Sequence, residues 1–514
     1  MFFLAAAAGL AAWILGGWAW LAFTGAAGCF VLLVARHEPI RRQLWQVDRL
    51  VRLYDRGLER LGESWHASGP TGAAWLPEDH PYAADLDLFG PRSLFQRLGW
   101  HGSVLGQETL ARWLLMPAVS AEIGPRQEAA RDLARRLDSW EACARCGDGL
   151  TQLADAELLR EWCRAPRVFA VPWSARLAHA VVAVNMLLLV GWSADVTGLS
   201  LLGWGLVIQV MLSWHLRQQR AQVLGVVSAL SGALASVAAR FAWVEHTDWH
   251  SPRLEELRSR MVGSGAALAR LNRLIDRLEW MHNAIFTPVG LLLLWITRHA
   301  LAVDDWRIHH GQALADWLEA LGEVEALLDL GAFAFEHPEA CWPSVMAGPA
   351  QIAAQELIHP LLPRTTAVAN DVRLDSSCRL LLVSGSNMSG KSTLLRTLGV
   401  SVVLAQMGGP VLARSLVCSP LSLGATLRIQ DSLLQGRSRF YAEILRLRQI
   451  VAAASGPTPV LFLLDELLHG TNSMIGGWVR RGCSAGCSSV ARWGWRPRMT
   501  WPSRSWRVNW GREW

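Results

Sequence analysis

The chain has 514 residues, of which 52% are hydrophobic, and it carries a formal net charge of +6. The length leaves room for a membrane part and two soluble domains, and the hydrophobic fraction is high for a soluble protein of this size. Residues 478–514 alone carry +7, so residues 1–477 carry −1. This balance excludes a basic nucleic-acid-binding body by composition.

The chain begins with an apolar stretch that contains no charged residue before Arg36. It is long enough for one membrane span or, with breaks at Gly16-Gly17 and Gly25, for a tight hairpin of two spans. It is too long for the apolar region of a signal peptide and has no basic residues before it. We therefore predict a transmembrane segment or hairpin at the N-terminus.

A second apolar pair consists of Leu177–Trp192 and Leu199–Trp214, each 16 residues long and thus short for a full span. Tryptophans near the ends are typical of anchors at a membrane surface, and arginines follow both pairs. The positive-inside tendency then places the soluble part in the cytoplasm, at the inner or plasma membrane. Because Asn185 and Gln209 interrupt the pair, the alternative is a buried helical hairpin.

Helical spacing dominates much of the remaining chain before the last third. Gly106–Met116 has an amphipathic pattern that Pro117 ends. Ala221–Leu278 alternates apolar with Arg and Glu positions, which predicts long lever-type helices. We expect these helices to continue, after a loop near Asp304-Asp305, into Ala313–Phe335.

The chain's only lysine, Lys391, lies in the segment GSNMSGKST. Cys378–Ser384 before it predicts a buried strand and Leu394–Leu404 after it predicts a helix. Glycines at such a turn place the helix N-terminus under bound phosphates, and a compact ammonium reaches their oxygens where a guanidinium does not fit. We predict ATP binding by a phosphate loop. Its residues are Gly385, Ser386, Asn387, Met388, Ser389, Gly390, Lys391, Ser392 and Thr393.

A second predicted strand, Pro459–Leu464, runs into Asp465-Glu466. Acidic residues at such a strand end hold Mg²⁺ and the attacking water in phosphoryl-transfer sites. We predict that Ser392 and Asp465 bind Mg²⁺ and that Glu466 orients or deprotonates the water. The alternative is a solvated strand end without function.

These motifs resemble the MutS family of DNA mismatch-repair ATPases. GSNMSGKSTLLRTLG is similar to that family's Walker A motif, and Leu463–Ser473 (LLDELLHGTNS) is similar to its Walker B motif. The segment around Ser438 resembles the family signature, whose serine reaches the nucleotide of the opposite subunit. The resemblance thus implies catalytic roles for Lys391, Glu466 and Ser438, and a homodimer through the ATPase domain.

The resemblance also covers residues 86–133, which are similar to the start of the helical core domain of MutS. It implies an α/β P-loop NTPase domain of the ABC/MutS type after a long all-α core and lever domain. Together with the apolar pairs, this predicts N-terminal transmembrane helices before the core. We find no Phe-x-Glu wedge of the kind that reads a mispaired base, so no residue supports mismatch recognition.

The C-terminal tail departs from the family pattern after Asn472-Ser473. Residues 478–514 hold seven of the 28 tryptophans and no histidine. The family implies a helix, a strand ending in a phosphate-sensing histidine and a dimerisation segment here. We predict a frameshift near Met474, with impaired ATP turnover. The alternative is a working aromatic, basic tail that binds membrane or RNA surfaces.

The sequence thus predicts seven segments: a transmembrane segment or hairpin (1–36), a helical linker (37–80), a first core part (81–170), an apolar helical hairpin (171–220), lever and core helices (221–345), a MutS-like ATPase domain (346–477) and an aberrant tail (478–514). Three functions compete. The first is an ATPase that drives clamp-type movements on double-stranded DNA. The second is a membrane-tethered mechanochemical ATPase or scaffold without DNA recognition. The third is a truncated nucleotide-binding product with little turnover.

Overall fold

A computed structural model describes residues 17–62, 65–67, 69–99, 102–169, 172–284, 286–385, 389–427 and 439–465. Within these ranges the chain is mostly helical. The helices are α1 (Gly17–Leu61), α2 (Leu94–Leu98), α3 (Val104–Leu115), α4 (Ser120–Ala134), α5 (Leu137–Cys146), α6 (Leu153–Arg164), α7 (Pro172–Ser193), α8 (Leu199–His215), α9 (Arg217–Ala229), α10 (Ser231–His246), α11 (Pro252–Arg260), α12 (Ser264–Glu279), α13 (Phe286–Leu292), α14 (Trp295–Glu336), α15 (Lys391–Met407) and α16 (Arg439–Ala454).

The long helix α14 packs against three other helices of the helical region, α3, α4 and α12. At 1.5 Å per residue it is about 63 Å long. The loop expected near Asp304-Asp305 is wrong, because the helix continues through both residues. The carboxylate of Asp304 accepts hydrogen bonds from Arg307 Nη2 (2.6 Å) and from the backbone N of Phe169 (3.0 Å). These donors compensate the buried charge, so the chain has no need to loop out to water.

The N-terminal helix α1 runs unbroken from Gly17 to Leu61. The break expected at Gly25 is therefore wrong, whereas the break expected at Gly16-Gly17 falls at the edge of the described residues and stays a prediction. A single glycine costs a helix only about 1 kcal/mol, which neighbouring good helix formers outweigh. Residues 1–16 lie outside the described residues, so the N-terminal membrane span stays a prediction.

The second apolar pair forms two helices, α7 and α8, joined by a tight turn in which Asp195 has a left-handed backbone (φ 56°). Among the described residues one helix is long and apolar enough to cross a membrane, at Arg176–Ser193. The pair α8 and α9, bent by 57° between His215 and Arg217, would count as a second.

The described residues of the C-terminal part form two sheets. One is four-stranded, in the order β1-β4-β2-β3, and the other pairs β5 and β6 in parallel with Thr426 opposite Leu464. The predicted strand Pro459–Leu464 is confirmed as β6. The strands are β1 (Ser344–Val345), β2 (Ile352–Leu357), β3 (Asn370–Leu374), β4 (Ser415–Cys418), β5 (Ser422–Thr426) and β6 (Val460–Leu464).

The strand predicted at Cys378–Ser384 is wrong. This segment has no strand conformation, and Leu380 and Leu382 are 51% and 87% exposed. An apolar run forms a strand where a neighbour accepts its backbone hydrogen bonds and covers its side chains. In the described part of the chain this run pairs with no strand, and β6 pairs only with β5.

A buried ionic junction joins the end of α14 to the rest of the helical region. The carboxylate of Glu336 accepts a hydrogen bond from Arg60 Nε of α1 (2.5 Å) and lies 3.5 Å from Arg97 Nη1 of α2. Arg364, beyond β2, donates to the backbone O of Glu336 at 3.2 Å. The end of the long helix is thus tied both to the core helices and to the loop that follows β2.

Candidate nucleotide-binding site

The site is built around the N-terminus of α15. Gly390 precedes the helix with a left-handed backbone (φ 85°), a conformation that glycine adopts without steric cost. The first helical bond runs from the backbone N of Leu394 to the O of Gly390 (2.9 Å). The N–H groups at the start of α15 therefore have no partner inside the helix, and they carry its positive dipole end.

Lys391 is the first residue of α15, and its side chain turns back over the loop before it. Its Nζ donates to the backbone O of Gly385 at 2.7 Å. This contact joins the first residue of α15 to Gly385, the first residue of the predicted phosphate loop. An ammonium in this position stands where phosphate oxygens can replace the carbonyl as its acceptor.

Ser392 and Asp465, the two predicted Mg²⁺ ligands, are in direct contact. The hydroxyl of Ser392 donates to Oδ2 of Asp465, although the residues are 73 positions apart. Asp465 directly follows β6, and its backbone N donates to the O of Thr426 at the end of β5 (3.1 Å). The parallel pair β5–β6 therefore fixes the carboxylate at the helix N-terminus.

This donor set fits a phosphate-bound divalent cation. A hydroxyl and a carboxylate are the hard oxygen ligands that Mg²⁺ prefers, and Mg²⁺ is usually held by one or two such groups together with phosphates. Ser392 and Asp465 would hold the ion, and Lys391 with the N–H groups of α15 would hold the phosphates. The ion would neutralise charge on the transferred phosphoryl group.

Gly399 allows α15 to approach β6 closely. A Cβ atom at this position would lie 2.6 Å from Leu463 of β6 and 2.6 Å from Leu86 of the core. A side chain here would push the helix away from the strand. The contact between Ser392 and Asp465 thus depends on the absence of a side chain two turns further along the helix.

The core segment around Leu86 contacts both α15 and the residue that follows β5. The sequence did not predict these contacts. Asp87 lies 3.1 Å from Arg396 Nη1 of α15, and Asp85 Oδ1 accepts the backbone N of Leu427 at 2.7 Å. Leu427 follows β5 and precedes the segment that carries Ser438. Two acids flanking a leucine are the available sequence signal, but the resemblance assigns residues 86–133 only to the helical core domain.

His359, two residues after the end of β2, is 8% exposed. Its Nδ1 accepts the backbone N of Leu361 at 3.2 Å. Burial, with a smaller contribution from the nearby charge of Arg396, lowers the pKa of His359 to about 4. This side chain is therefore neutral in the folded protein at neutral pH.

The structure describes only some of the predicted site residues. Gly385, Ser389, Gly390, Lys391, Ser392 and Thr393 form the described part of the loop and helix start, with Asp465 beside them. Thr393 is exposed, and its backbone O accepts from the hydroxyl of Thr397 at 2.7 Å. Outside the described residues lie Ser386, Asn387, Met388, Ser438 and Glu466. Their roles stay predictions, as does the tail at 478–514.

A phosphate loop, a helix N-terminus and a strand-end acid define a nucleotide-binding domain of the P-loop class. The family "MutS domain V" matches residues 381–487 of the chain. The matched range extends beyond Ser473, where the resemblance was expected to end.

The similarity to known proteins also extends into the helical region of the chain. The DNA mismatch repair protein MutS of Methanothrix thermoacetophila is 26% identical over 454 residues, which cover 72% of this chain and 48% of that relative. MutS of Sorangium cellulosum is 35% identical over 44% of this chain and 22% of its own length. Endonuclease MutS2 of Thermus thermophilus is 41% identical over 22% of this chain and 15% of its own length. The chain thus spans about half or less of the length of these relatives. Together the matches place it in the MutS family.

Proposed function

We propose that this protein binds Mg²⁺·ATP at the N-terminus of α15 and hydrolyses it to drive movement of the helical core. The observation that carries the proposal is the contact between the Ser392 hydroxyl and the Asp465 carboxylate. It brings the predicted Walker A and Walker B residues together without any ligand. An ATPase is also what membership of the MutS family supports.

The site's own residues have separate tasks. Lys391 binds the β and γ phosphate oxygens, and the N–H groups at the N-terminus of α15 bind the phosphates. Ser392 and Asp465 orient the cation's oxygen shell. Glu466 is assigned the water and Ser438 the nucleotide of a second subunit, both by resemblance to the family.

The ATPase domain transmits its state through the core segment that touches both α15 and the end of β5. Displacement of α15 would move Arg396 relative to Asp87, and displacement of β5 would move Leu427 relative to Asp85. Both acids belong to the segment that leads into α2 and α3, which pack on α14. We therefore assign clamp-type motion to the long helix α14.

Double-stranded DNA is the first candidate for the partner on which this motion acts. The support is the name of the relatives, several of which are DNA mismatch repair proteins. DNA retention that falls steeply with salt would support this assignment, because phosphate contacts release counterions. Retention that is equal for the wild type and for a nucleotide-free Lys391→Ala protein would argue against ATP-controlled DNA binding.

A membrane-tethered ATPase is the second candidate, and the hairpin α7–α8 favours it. Asn185 Nδ2 donates to Gln209 Oε1 at 2.5 Å inside the hairpin, where both side chains are buried. The outer face is apolar and uncovered in the described residues, with Leu187 72% and Val210 68% exposed. At the end of α8 the guanidinium of Arg217 lies 4.1 Å from the ring of Trp214, an arrangement suited to a membrane surface.

The ATP site is tested with Lys391 variants of the full chain. Lys391→Ala should reduce ATP affinity by at least about tenfold, and Lys391→Arg should restore little, because the planar fork does not fit the loop. The matched control removes a different exposed cation: Arg414→Ala should bind ATP normally. Near wild-type ATP binding by Lys391→Arg would refute the assignment. ATP binding by the wild type without turnover would instead support the third function, a truncated nucleotide-binding product.

A further inference from the structure

Helix α1 has a second apolar stripe that is largely exposed among the described residues, and its one contact of note is the hydroxyl of Tyr54, which donates to Glu141 of α5 at 2.5 Å. Its members recur at alternating intervals of three and four residues, and each is at least 44% exposed. They are Ile40 (53%), Leu44 (64%), Val47 (56%), Val51 (50%), Tyr54 (44%), Leu58 (69%) and Leu61 (62%). This is the 3.5-residue repeat that two helices need to pack side by side over several turns.

A different stripe holds α1 on the protein body. Leu53 is 8% and Arg60 6% exposed, and Leu50 packs against the core. Arg49 Nη1 donates to the backbone O of Arg145 in α5 at 3.1 Å. Because these contacts already attach the helix, the exposed stripe is not needed for folding of a single chain.

We propose that residues 40–61 pair with the same residues of a second copy in a two-stranded coiled coil. In the heptad, Leu44, Val51 and Leu58 take the a positions and Ile40, Val47, Tyr54 and Leu61 take the d positions. These seven residues form the seam, which begins just after Pro39, whose ring removes a backbone hydrogen bond from the helix. The pairing does not rest on ATP binding and is separate from the dimer contact assigned to Ser438.

The residues beside the seam favour a second copy over a lipid bilayer. Arg41, Asp48 and Asp55 flank it at the e positions, and three charges at this spacing cannot enter a hydrocarbon core. They remain in water beside a two-helix seam, as flanking charges of coiled coils do.

These flanking residues also find complementary groups on a second copy. In a parallel pair Gln43 (position g) faces Asp48 of the second copy, so an amide donor meets a carboxylate. In an antiparallel pair Arg41 faces Asp55 of the second copy, so opposite charges meet. Asp48 then faces its own counterpart, but each Asp48 carboxylate lies 3.1 Å from Arg52 of its own helix, which offsets the repulsion.

The test measures the mass of the detergent-solubilised full chain without nucleotide, by light scattering over a range of concentrations. The wild type should be a dimer. Leu44→Glu combined with Leu58→Glu should weaken the dimer by at least about tenfold, because each copy then carries two charges in the seam. The matched control is Val262→Glu, an equally exposed apolar residue outside α1 (72%), which should leave the dimer intact.

Two charge variants test whether the predicted residues lie beside the seam. Gln43→Lys should tighten a parallel dimer by facing Asp48 of the second copy, and it faces only Gly57 in an antiparallel one. Asp55→Arg should weaken an antiparallel dimer by facing Arg41, and it faces only Leu50 in a parallel one. One of the two effects is therefore expected, and it identifies the orientation.

Four results would overturn the proposal. The first is a monomeric wild type at all concentrations. The second is a dimer that persists in the Leu44→Glu, Leu58→Glu protein. The third is loss of thermal stability in a monomer carrying these two changes, which would mean that another part of the same chain covers the stripe. The fourth is a dimer that responds to neither Gln43→Lys nor Asp55→Arg.

Discussion

The hydroxyl of Ser392 donates a hydrogen bond to the carboxylate of Asp465, and this contact joins the first turn of α15 to the end of β6. The two residues belong to motifs that are far apart in the sequence. Their contact requires close packing of α15 on β6 and correct pairing of β5 with β6. The first two predictions below perturb one of these requirements each.

Close packing at Gly399 is the first requirement. Gly399→Val should lower the free energy of unfolding by about 1–3 kcal/mol, because the new side chain overlaps Leu463 and Leu86. It should also weaken Mg²⁺-dependent ATP binding by moving Ser392 from Asp465. Denaturant unfolding and ATP titration measure both effects. The control is Gly225→Val, where a side chain meets open space, and ATP affinity should be unchanged there.

Correct placement of β5 is the second requirement, and Asp85 supports the end of that strand. Asp85 is 3% exposed, and Asp85→Ala would leave the backbone N of Leu427 without this acceptor. We expect a loss of about 1–3 kcal/mol in the free energy of unfolding and slower ATP turnover. The exposed Asp79→Ala is the matched control. Unchanged stability and turnover in the Asp85 variant would show that the core segment does not support the site.

Acid should destabilise the protein through His359. Its pKa is about 4 in the folded chain and near 6.5 in an unfolded one. As the pH falls from about 6.5 to about 4, the unfolded chain binds a proton that the folded chain does not, so stability falls by roughly 3 kcal/mol. Thermal unfolding at about pH 7.5 and about pH 5 captures most of this difference. His359→Asn should reduce it, and the exposed His250→Asn should not.

The hairpin's interior is tested with Gln209. Its Nε2 donates to the backbone O of Leu291 (2.6 Å) and of Leu292 (3.0 Å), which ties α8 to α13. Gln209→Leu should therefore lower stability in detergent by about 1–3 kcal/mol. Val210→Leu, on the exposed side of α8, should be neutral. Equal effects of the two changes would mean that residue 209 has no special role.

The sequence predicted the parts of the site that follow from local pattern. The glycines and Lys391 marked the start of α15, and the apolar run before Asp465 marked β6. The segment before Gly385 was predicted as a strand and is not one, because strand formation depends on a neighbour that a local apolar run does not specify. The loop near Asp304 was wrong for a related reason, since the sequence does not show that Arg307 and the backbone of Phe169 compensate a buried acid.

Long-range contacts also escaped prediction. Leu86 meets Gly399, and Asp85 meets Leu427, across more than 300 residues of sequence. No local periodicity reports such pairs. The heptad spacing of the exposed seam in α1 is visible in the sequence. Only the structure shows, however, that a separate stripe of α1 already holds the helix on the rest of the protein.

The most direct test of the account is the effect of Mg²⁺ on ATP affinity, measured by calorimetric titration of the full chain. The wild type should bind ATP more tightly with Mg²⁺ than without it, by about tenfold or more. Ser392→Ala and Asp465→Asn should each lose most of this enhancement while still binding ATP alone through Lys391. If both variants keep the full Mg²⁺ enhancement, Ser392 and Asp465 do not form the metal site and the central claim is contradicted.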